Sequence, residues 1–252
     1  MEASHTTKRA KRASALQKQT GALSFHIRPY EDKDFHRVRE LFCQGMMGLA
    51  RPLFYSTVSR PSNLLIMVAT LALIYICTSS LLAAIGGVMS VLLALYYCCW
   101  FAYSSYVTAM LNSQMANIRE HFVERPGSCF LVAETTCCDE TTGRGGGGDV
   151  VGTLALVSST QDPGACEMFR MVVDDRYSRR GIASCLVDAV LQRAREHGYR
   201  LCQLKTTMVQ RPAIALYKKK GFVITKEALY TNGHSFFMLL IKLIIYEMEY
   251  VF

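Results

Sequence analysis

A chain of 252 residues that is 51% hydrophobic and only 19% charged, with a mean hydropathy of +0.17, is too apolar to be a disordered tail or a basic protein that coats nucleic acid. The formal charge of +8 is unevenly placed: residues 1–60 hold 11 Lys+Arg against 5 Asp+Glu, residues 61–118 hold no charge, and residues 119–252 hold 17 against 15. A basic flank leading into a long uncharged stretch is what membrane insertion leaves, with Lys and Arg kept on the cytosolic side, so lipid is an expected partner and nucleic acid is not.

Residues 1–21 are polar and without hydrophobic period, which predicts a basic tail whose Lys8-Arg9-Ala10-Lys11-Arg12 suits anionic lipid. Leu23 to Arg28 alternates as a strand, Pro29 stops it, and Asp32 or Asp34 can cap a helix with Phe35, Val38, Leu41 and Phe42 on its apolar face. From Leu64 to Tyr103 forty residues carry no charge. A membrane pass needs about 20 apolar residues, so forty accommodate two passes, with breaks at Thr78-Ser79-Ser80 and Gly86-Gly87 near the middle. The expected organisation is a tail at 1–21, a first strand and helix at 22–62, a transmembrane hairpin at 63–104 and the rest of one α/β domain at 105–252. A hairpin returns residues 119–252 to the basic, cytosolic side, whereas a single tilted span, the competing reading, sends them across.

After Asn112 a helix is predicted to about His121, then strands over Cys129 to Ala133 and Val150 to Val157. The glycine run 145–148 between those strands is followed by no Gly-Lys-Ser/Thr, and reads as a hairpin connection. Ten cysteines form no C-x-x-C pair and no cleavable signal precedes them, which predicts reduced, mostly buried thiols; Cys137-Cys138 lacks partners at zinc spacing, so no metal is expected.

The chemistry concentrates further on. Met168 to Val173 is an apolar strand that ends at Asp174-Asp175, followed by Arg176-Tyr177-Ser178-Arg179-Arg180-Gly181-Ile182-Ala183. A helix is predicted to begin there, with Ile182, Cys185, Leu186, Ala189 and Val190 on one face and Gly198 as its stop. The first amides of a helix have no internal acceptors and sit at the positive end of its dipole, so a strand, a basic glycine turn and a helix make a phosphate site. Gly181 lets a ligand approach the backbone, and Arg179 and Arg180 add charged donors.

These residues resemble the GNAT acyl-CoA N-acyltransferase superfamily, whose motif Q/R-x-x-G-x-G/A reads here Ser178-Arg179-Arg180-Gly181-Ile182-Ala183, with Ser in the first position. Its second element, A-x-x-L-Y-x-x-x-G-F, appears as Ala213, Leu216, Tyr217, Gly221 and Phe222. The uncharged insertion, with Pro126-Gly127-Ser128-Cys129-Phe130, Arg170-Met171 and Gly181-Ile182-Ala183, is similar to the camello family of endoplasmic-reticulum N-acetyltransferases, over about Leu23 to Tyr246. The resemblance implies a mixed central sheet flanked by helices, with a transmembrane helical hairpin between the first and second helices. It implies acetyl transfer from acetyl-CoA to a primary amine of a small molecule, a cysteine S-conjugate or an amino acid. Transfer to protein lysines and a catalytically degenerate membrane-shaping protein are the alternatives.

It further implies that Met171, Val172 and Val173 on the strand, together with Arg179, Arg180, Gly181, Ile182 and Ala183, hold acetyl-CoA, the N–H groups of Met171 and Val173 facing pantetheine and thioester. Tyr217 is the expected general acid toward the leaving sulfur, since a phenol is protonated at neutral pH. Glu167 is either the base for the amine or a surface partner of Arg170 or a lysine. Arg170, Thr206 and Thr207 are candidate substrate contacts, with Arg170 and Arg211 the cations to examine for an anionic acceptor. His234 reads as a loop bystander, Lys218-Lys219-Lys220 as a solvated run, and Phe236 to Phe252 as a final strand with an amphipathic element.

Overall fold

The computed structural model describes residues 24–136, 148–160, 162–230 and 241–252. The basic tail, Cys137-Cys138, most of the 139–149 connection and His234 lie outside them.

Seven strands, β1 (Phe25–Pro29), β2 (Cys129–Thr135), β3 (Val150–Ser158), β4 (Ala165–Val173), β5 (Leu201–Thr207), β6 (Val223–Leu229) and β7 (Ile244–Val251), form one sheet in the order β1-β2-β3-β4-β5-β7-β6. The helices are α1 (Phe35–Met47), α2 (Ala50–Val58), α3 (Pro61–Thr78), α4 (Leu81–Asn112), α5 (Ile118–Phe122), α6 (Ile182–Glu196) and α7 (Arg211–Lys219). β1 to β4 pair antiparallel and β4 pairs β5 in parallel, across the connection that α6 supplies. The chain divides into two compact units, one of residues up to Gly45 with Gln114–Leu204 and Glu249–Phe252, the other of Met46–Ser113 with Lys205–Met248.

In the first unit β2 is buried along its whole length and β3 along all but its last residue, which is why both read as apolar runs without alternation. Gly152 lets α6 onto one face: a Cβ there would stand 3.1 Å from Ile182 and Leu186. On the other face Gly45 of α1 meets Val172, 2.6 Å from where its Cβ would be. α6 buries Ile182, Leu186, Val187, Val190 and Leu191, each contributing about 1.5–3 kcal/mol over exposure. Val187 and Leu191 extend the predicted stripe, whereas Cys185 at its edge is only partly buried.

In the second unit α3 and α4 pack side by side. Ser79 turns the chain with φ +52°, and the Ser80 hydroxyl caps α4 by accepting from the Ala83 N–H at 3.4 Å. Gly86 and Gly87, the other expected break, remain helical inside α4. Gly87 serves packing instead, since a Cβ there would fall 2.1 Å from Ile74 Cδ1, so glycine lets the two helices approach. Both helices are long and apolar enough to cross a membrane, and only 6% and 11% of their most apolar windows are buried. The second half of α4 is different: Leu95, Cys99, Tyr103 and Val107, four apart, are buried in one stripe. Cys99 and Tyr103 of it join Ala50, Leu53, Ile241 and Leu243 in a single core.

Candidate active site

The parallel ladder between β4 and β5 runs from Ala165↔Leu201 to Met168↔Leu204 and stops, while β4 continues to Val173. Opposite this continuation the register with β3 slips between Thr153 and Ala155. Arg170 there takes φ +58°, and its carbonyl accepts from Thr153 Oγ1 at 2.8 Å. Such bulges re-aim strand groups and recur beside active sites. The Arg170 guanidinium lies 5.0 Å over the Phe42 ring and donates to Gln114.

β4 leads to Asp174, a short 3-10 turn over Asp175–Tyr177, and the loop Ser178 to Gly181. Gly181 has φ +82° and N-caps α6 without a side-chain cap, and no acidic residue stands in the first turn. The first bond of the helix is Cys185 N–H to Gly181 O at 3.0 Å, so the amides of Ile182, Ala183 and Ser184 open outward at the positive end of a fifteen-residue helix. A Cβ on Gly181 would meet nothing within 4 Å, so a ligand can come close to the backbone at this turn, as a diphosphate requires. Arg179 holds the left-handed φ of +59°, a conformation costing a non-glycine residue about 1–2 kcal/mol. Arg179 and Arg180 are exposed, and the Arg180 guanidinium lies 5.6 Å from the Tyr177 ring. Met171, Val172, Val173 and the residues Arg179 to Ala183 are thus brought into one strand–loop–helix corner.

Asp174 organises that corner and was not among the residues expected to. It is 7% exposed and accepts from the Arg176 N–H at 3.0 Å, from Arg176 Nη2 at 2.8 Å and from Arg37 Nη2 of α1 at 2.8 Å. Arg37 also binds Asp149 and the Val150 carbonyl. The side-chain hydrogen bond from Arg176 outweighs the cost of burial and, with the Arg176 N–H and Arg37, holds the Asp174 carboxyl down to about 2 from 3.8. A lowered pKa stabilises the fold at pH above the ordinary value and loses that contribution as pH falls from about 4 through about 2. Asp174→Asn is therefore expected to cost on the order of 2 kcal/mol at pH 7 by urea denaturation in mild detergent, with the difference from the native protein vanishing near pH 2. A constant difference over that range would assign the effect to packing instead.

Glu167 lies in the paired part of β4, opposite Val157 and Gln203, four residues or about 13 Å before Met171. Gln203 donates to Glu249 of β7 at 2.8 Å. In the second unit, Tyr217 is buried on α7, its ring edge-to-face with Phe222 at 5.7 Å. Gly221, at φ +97°, ends α7 by donating to Lys218 O, and Phe222 N–H returns to Tyr217 O, both at 3.0 Å. Thr206 is buried and donates to Gln210 at 2.9 Å, which ties its hydroxyl to the turn into α7. Thr207 Oγ1 is buried without a hydrogen-bond partner. Arg211 is exposed at the start of α7. No group of three or more His, Cys, Asp or Glu that could hold a metal occurs among the described residues.

Residues 92–222 match the family model "Acetyltransferase (GNAT) family". Fold and loop together define an acetyl-CoA-dependent N-acetyltransferase. The chain is 32% identical over 223 residues to rat N-acetyltransferase family 8 member 2, covering 87% of this chain and 90% of that one. It is equally 32% identical over 220 residues to human N-acetyltransferase 8, with the same coverage. A GCN5-related N-acetyltransferase from Kribbella flavida shares the fold at 13% identity, with a TM-score of 0.51 over 90% of this chain and 98% of that one. The chain belongs to the GNAT acetyltransferase family, among the camello-type N-acetyltransferases of family 8.

Proposed function

We propose that the protein is a membrane-anchored enzyme of the endoplasmic reticulum that transfers acetyl from acetyl-CoA to the primary amine of a small molecule, a cysteine S-conjugate or an amino acid. The observation that carries this reading is the uncapped start of α6 behind left-handed Gly181, where a ligand can come close to the backbone. The relatives' name, N-acetyltransferase, supports nitrogen as the acceptor atom.

Direct attack requires the ammonium to lose a proton, the thioester carbonyl to be polarised and the leaving thiolate to be protonated. Main-chain N–H groups of Met171 and Val173, on the part of β4 beyond its ladder with β5, are the polarising donors. Arg179, Arg180 and the first amides of α6 hold the diphosphate. Glu167 receives the amine proton, directly or through water, and the Tyr217 hydroxyl donates to sulfur. Arg170 and Thr206 shape the acceptor side.

Anchoring rests on α3 and α4. Leu81 to Phe101 is 21 residues, about 30 Å of helix, which matches the hydrocarbon thickness. Tyr96, Tyr97, Trp100 and Phe101 are exposed at its end, where aromatic side chains favour the membrane–water interface. A hairpin places the catalytic residues on the side of the basic flank, the cytosol.

Sealed microsomes test both parts, because acetyl-CoA is too polar to cross. Amine acceptors added outside with acetyl-CoA are expected to release free thiol without detergent. Release only after detergent would overturn the cytosolic placement, and no release with any small amine would overturn the transfer.

A further inference from the structure

Strand β4 carries an extra residue where it leaves its ladder with β5. Thr153 of β3 stands opposite Val172 and Ala155 opposite Phe169, so Arg170 and Met171 share the place across from Leu154. Two residues against one make a bulge, which bends the strand and takes its peptides out of the regular alternation. Arg170, the first of the two, holds φ +58°. That conformation costs a residue with a side chain about 1–2 kcal/mol, so neighbouring groups have to keep it there.

Arg170 is held at both ends. Its guanidinium donates to Gln114 and lies 5.0 Å over the Phe42 ring. Its carbonyl accepts from Thr153 Oγ1 at 2.8 Å, and Thr153 is 1% exposed. From Val150 to Val157, Thr153 is the one polar side chain among Val, Gly, Leu and Ala. A buried hydroxyl costs free energy unless it is bonded, so packing alone does not call for threonine at this place.

The bonded carbonyl belongs to the same peptide unit as the Met171 N–H. No cis bond occurs among the described residues, and in a planar trans peptide C=O and N–H point in opposite directions. Drawing the Arg170 carbonyl toward Thr153 therefore turns the Met171 N–H away from β3, to the side on which the ladder with β5 has ended at Met168↔Leu204. A flip of that peptide would present an acceptor, in place of a donor, to a thioester oxygen.

We infer that Thr153 is a positioning residue for acetyl transfer: through the Arg170 carbonyl it fixes the direction in which the Met171 N–H points at the thioester oxygen. This rests on the reading of that N–H as a polarising donor given above and adds the side chain that aims it.

The test uses the full-length protein in mild detergent, with acetyl-CoA and S-benzylcysteine. Thr153→Val keeps the shape and removes the hydroxyl, Thr153→Ser keeps the hydroxyl and removes the methyl, and Thr153→Ala removes both. Deleting an oxyanion donor outright lowers kcat by about a hundredfold or more, so loosening one should lower it by about tenfold in Thr153→Val and Thr153→Ala. Thr153→Ser should keep kcat within about threefold of native, although it too leaves a gap in the core. The dissociation constant of CoA, which has no thioester carbonyl, should stay within about twofold in all three. A threonine that merely packs leaves Thr153→Ser and Thr153→Ala alike in kcat; that result overturns the inference, as does native kcat in Thr153→Val. Where Thr153→Val fails to fold, the Ser and Ala pair decides. Amide hydrogen exchange over residues 168–173 reads the peptide without the reaction, and should quicken by about threefold or more in Thr153→Val but not in Thr153→Ser. If the native protein acetylates no amine while exchange behaves in this way, the transfer reading fails and the hold of Thr153 on the peptide stands. Unchanged exchange in Thr153→Val overturns the inference whether or not acetyl is transferred.

Discussion

Replacing Gly181 by valine is expected to abolish saturable binding of acetyl-CoA. A β-branched residue at φ +82° is strained by at least about 1–2 kcal/mol, and relief of that strain rotates the peptide that starts α6. The new side chain also enters the space that is free of protein atoms within 4 Å of the Cβ position. Each hydrogen bond from an amide to a charged phosphate is worth about 1.5–3 kcal/mol, so losing two of them weakens binding by about a hundredfold or more. Gly181→Ala, which brings the strain but less bulk, should fall between, near tenfold. Because Ile182, Leu186 and Val190 pack α6 on the sheet independently of this Cβ, both variants should fold, and calorimetric titration reads the ligand site alone. An unchanged dissociation constant for Gly181→Val would remove the loop from cofactor binding.

The second large effect falls on turnover. Tyr217→Phe keeps the ring that packs edge-to-face on Phe222 and deletes only the hydroxyl. If that hydroxyl protonates the departing thiolate, kcat falls by about a hundredfold or more while the dissociation constant of acetyl-CoA stays within twofold. A loss of stability without a loss of kcat would instead identify Tyr217 as the core side chain that its 6% exposure permits. The pH profile adds a readout that packing does not move: the variant should lose the alkaline limb that the acid imposes.

How far these sites were legible follows from what holds each together. Strand β4, the turn at Gly181 and the apolar face of α6 lie within thirty consecutive residues, and every signal for them is local: an apolar run, a glycine where φ must be positive, and a 3.6-residue period. The motif around Tyr217 is local in the same way, since Gly221 and Phe222 close the last turn of α7 onto Tyr217 itself. Of the two breaks expected in the uncharged stretch, Ser79-Ser80 separates the helices and Gly86-Gly87 does not, because a glycine facing a neighbouring helix and a glycine ending one look alike until the neighbour is known.

The residues that escaped notice are those whose partners are remote. Asp174 looked like the end of a strand; the arginine that completes its neutralisation, Arg37, is 137 positions away on α1. Periodicity and short motifs were enough to establish the class of enzyme, the strand–loop–helix corner at Gly181 and the long apolar pair of helices, since those depend on interactions among near neighbours in the chain. Chain folding was needed to bring Arg37 of α1 to Asp174 at the end of β4, because that pair depends on which distant surfaces pack together, and burial is not a property either segment carries alone.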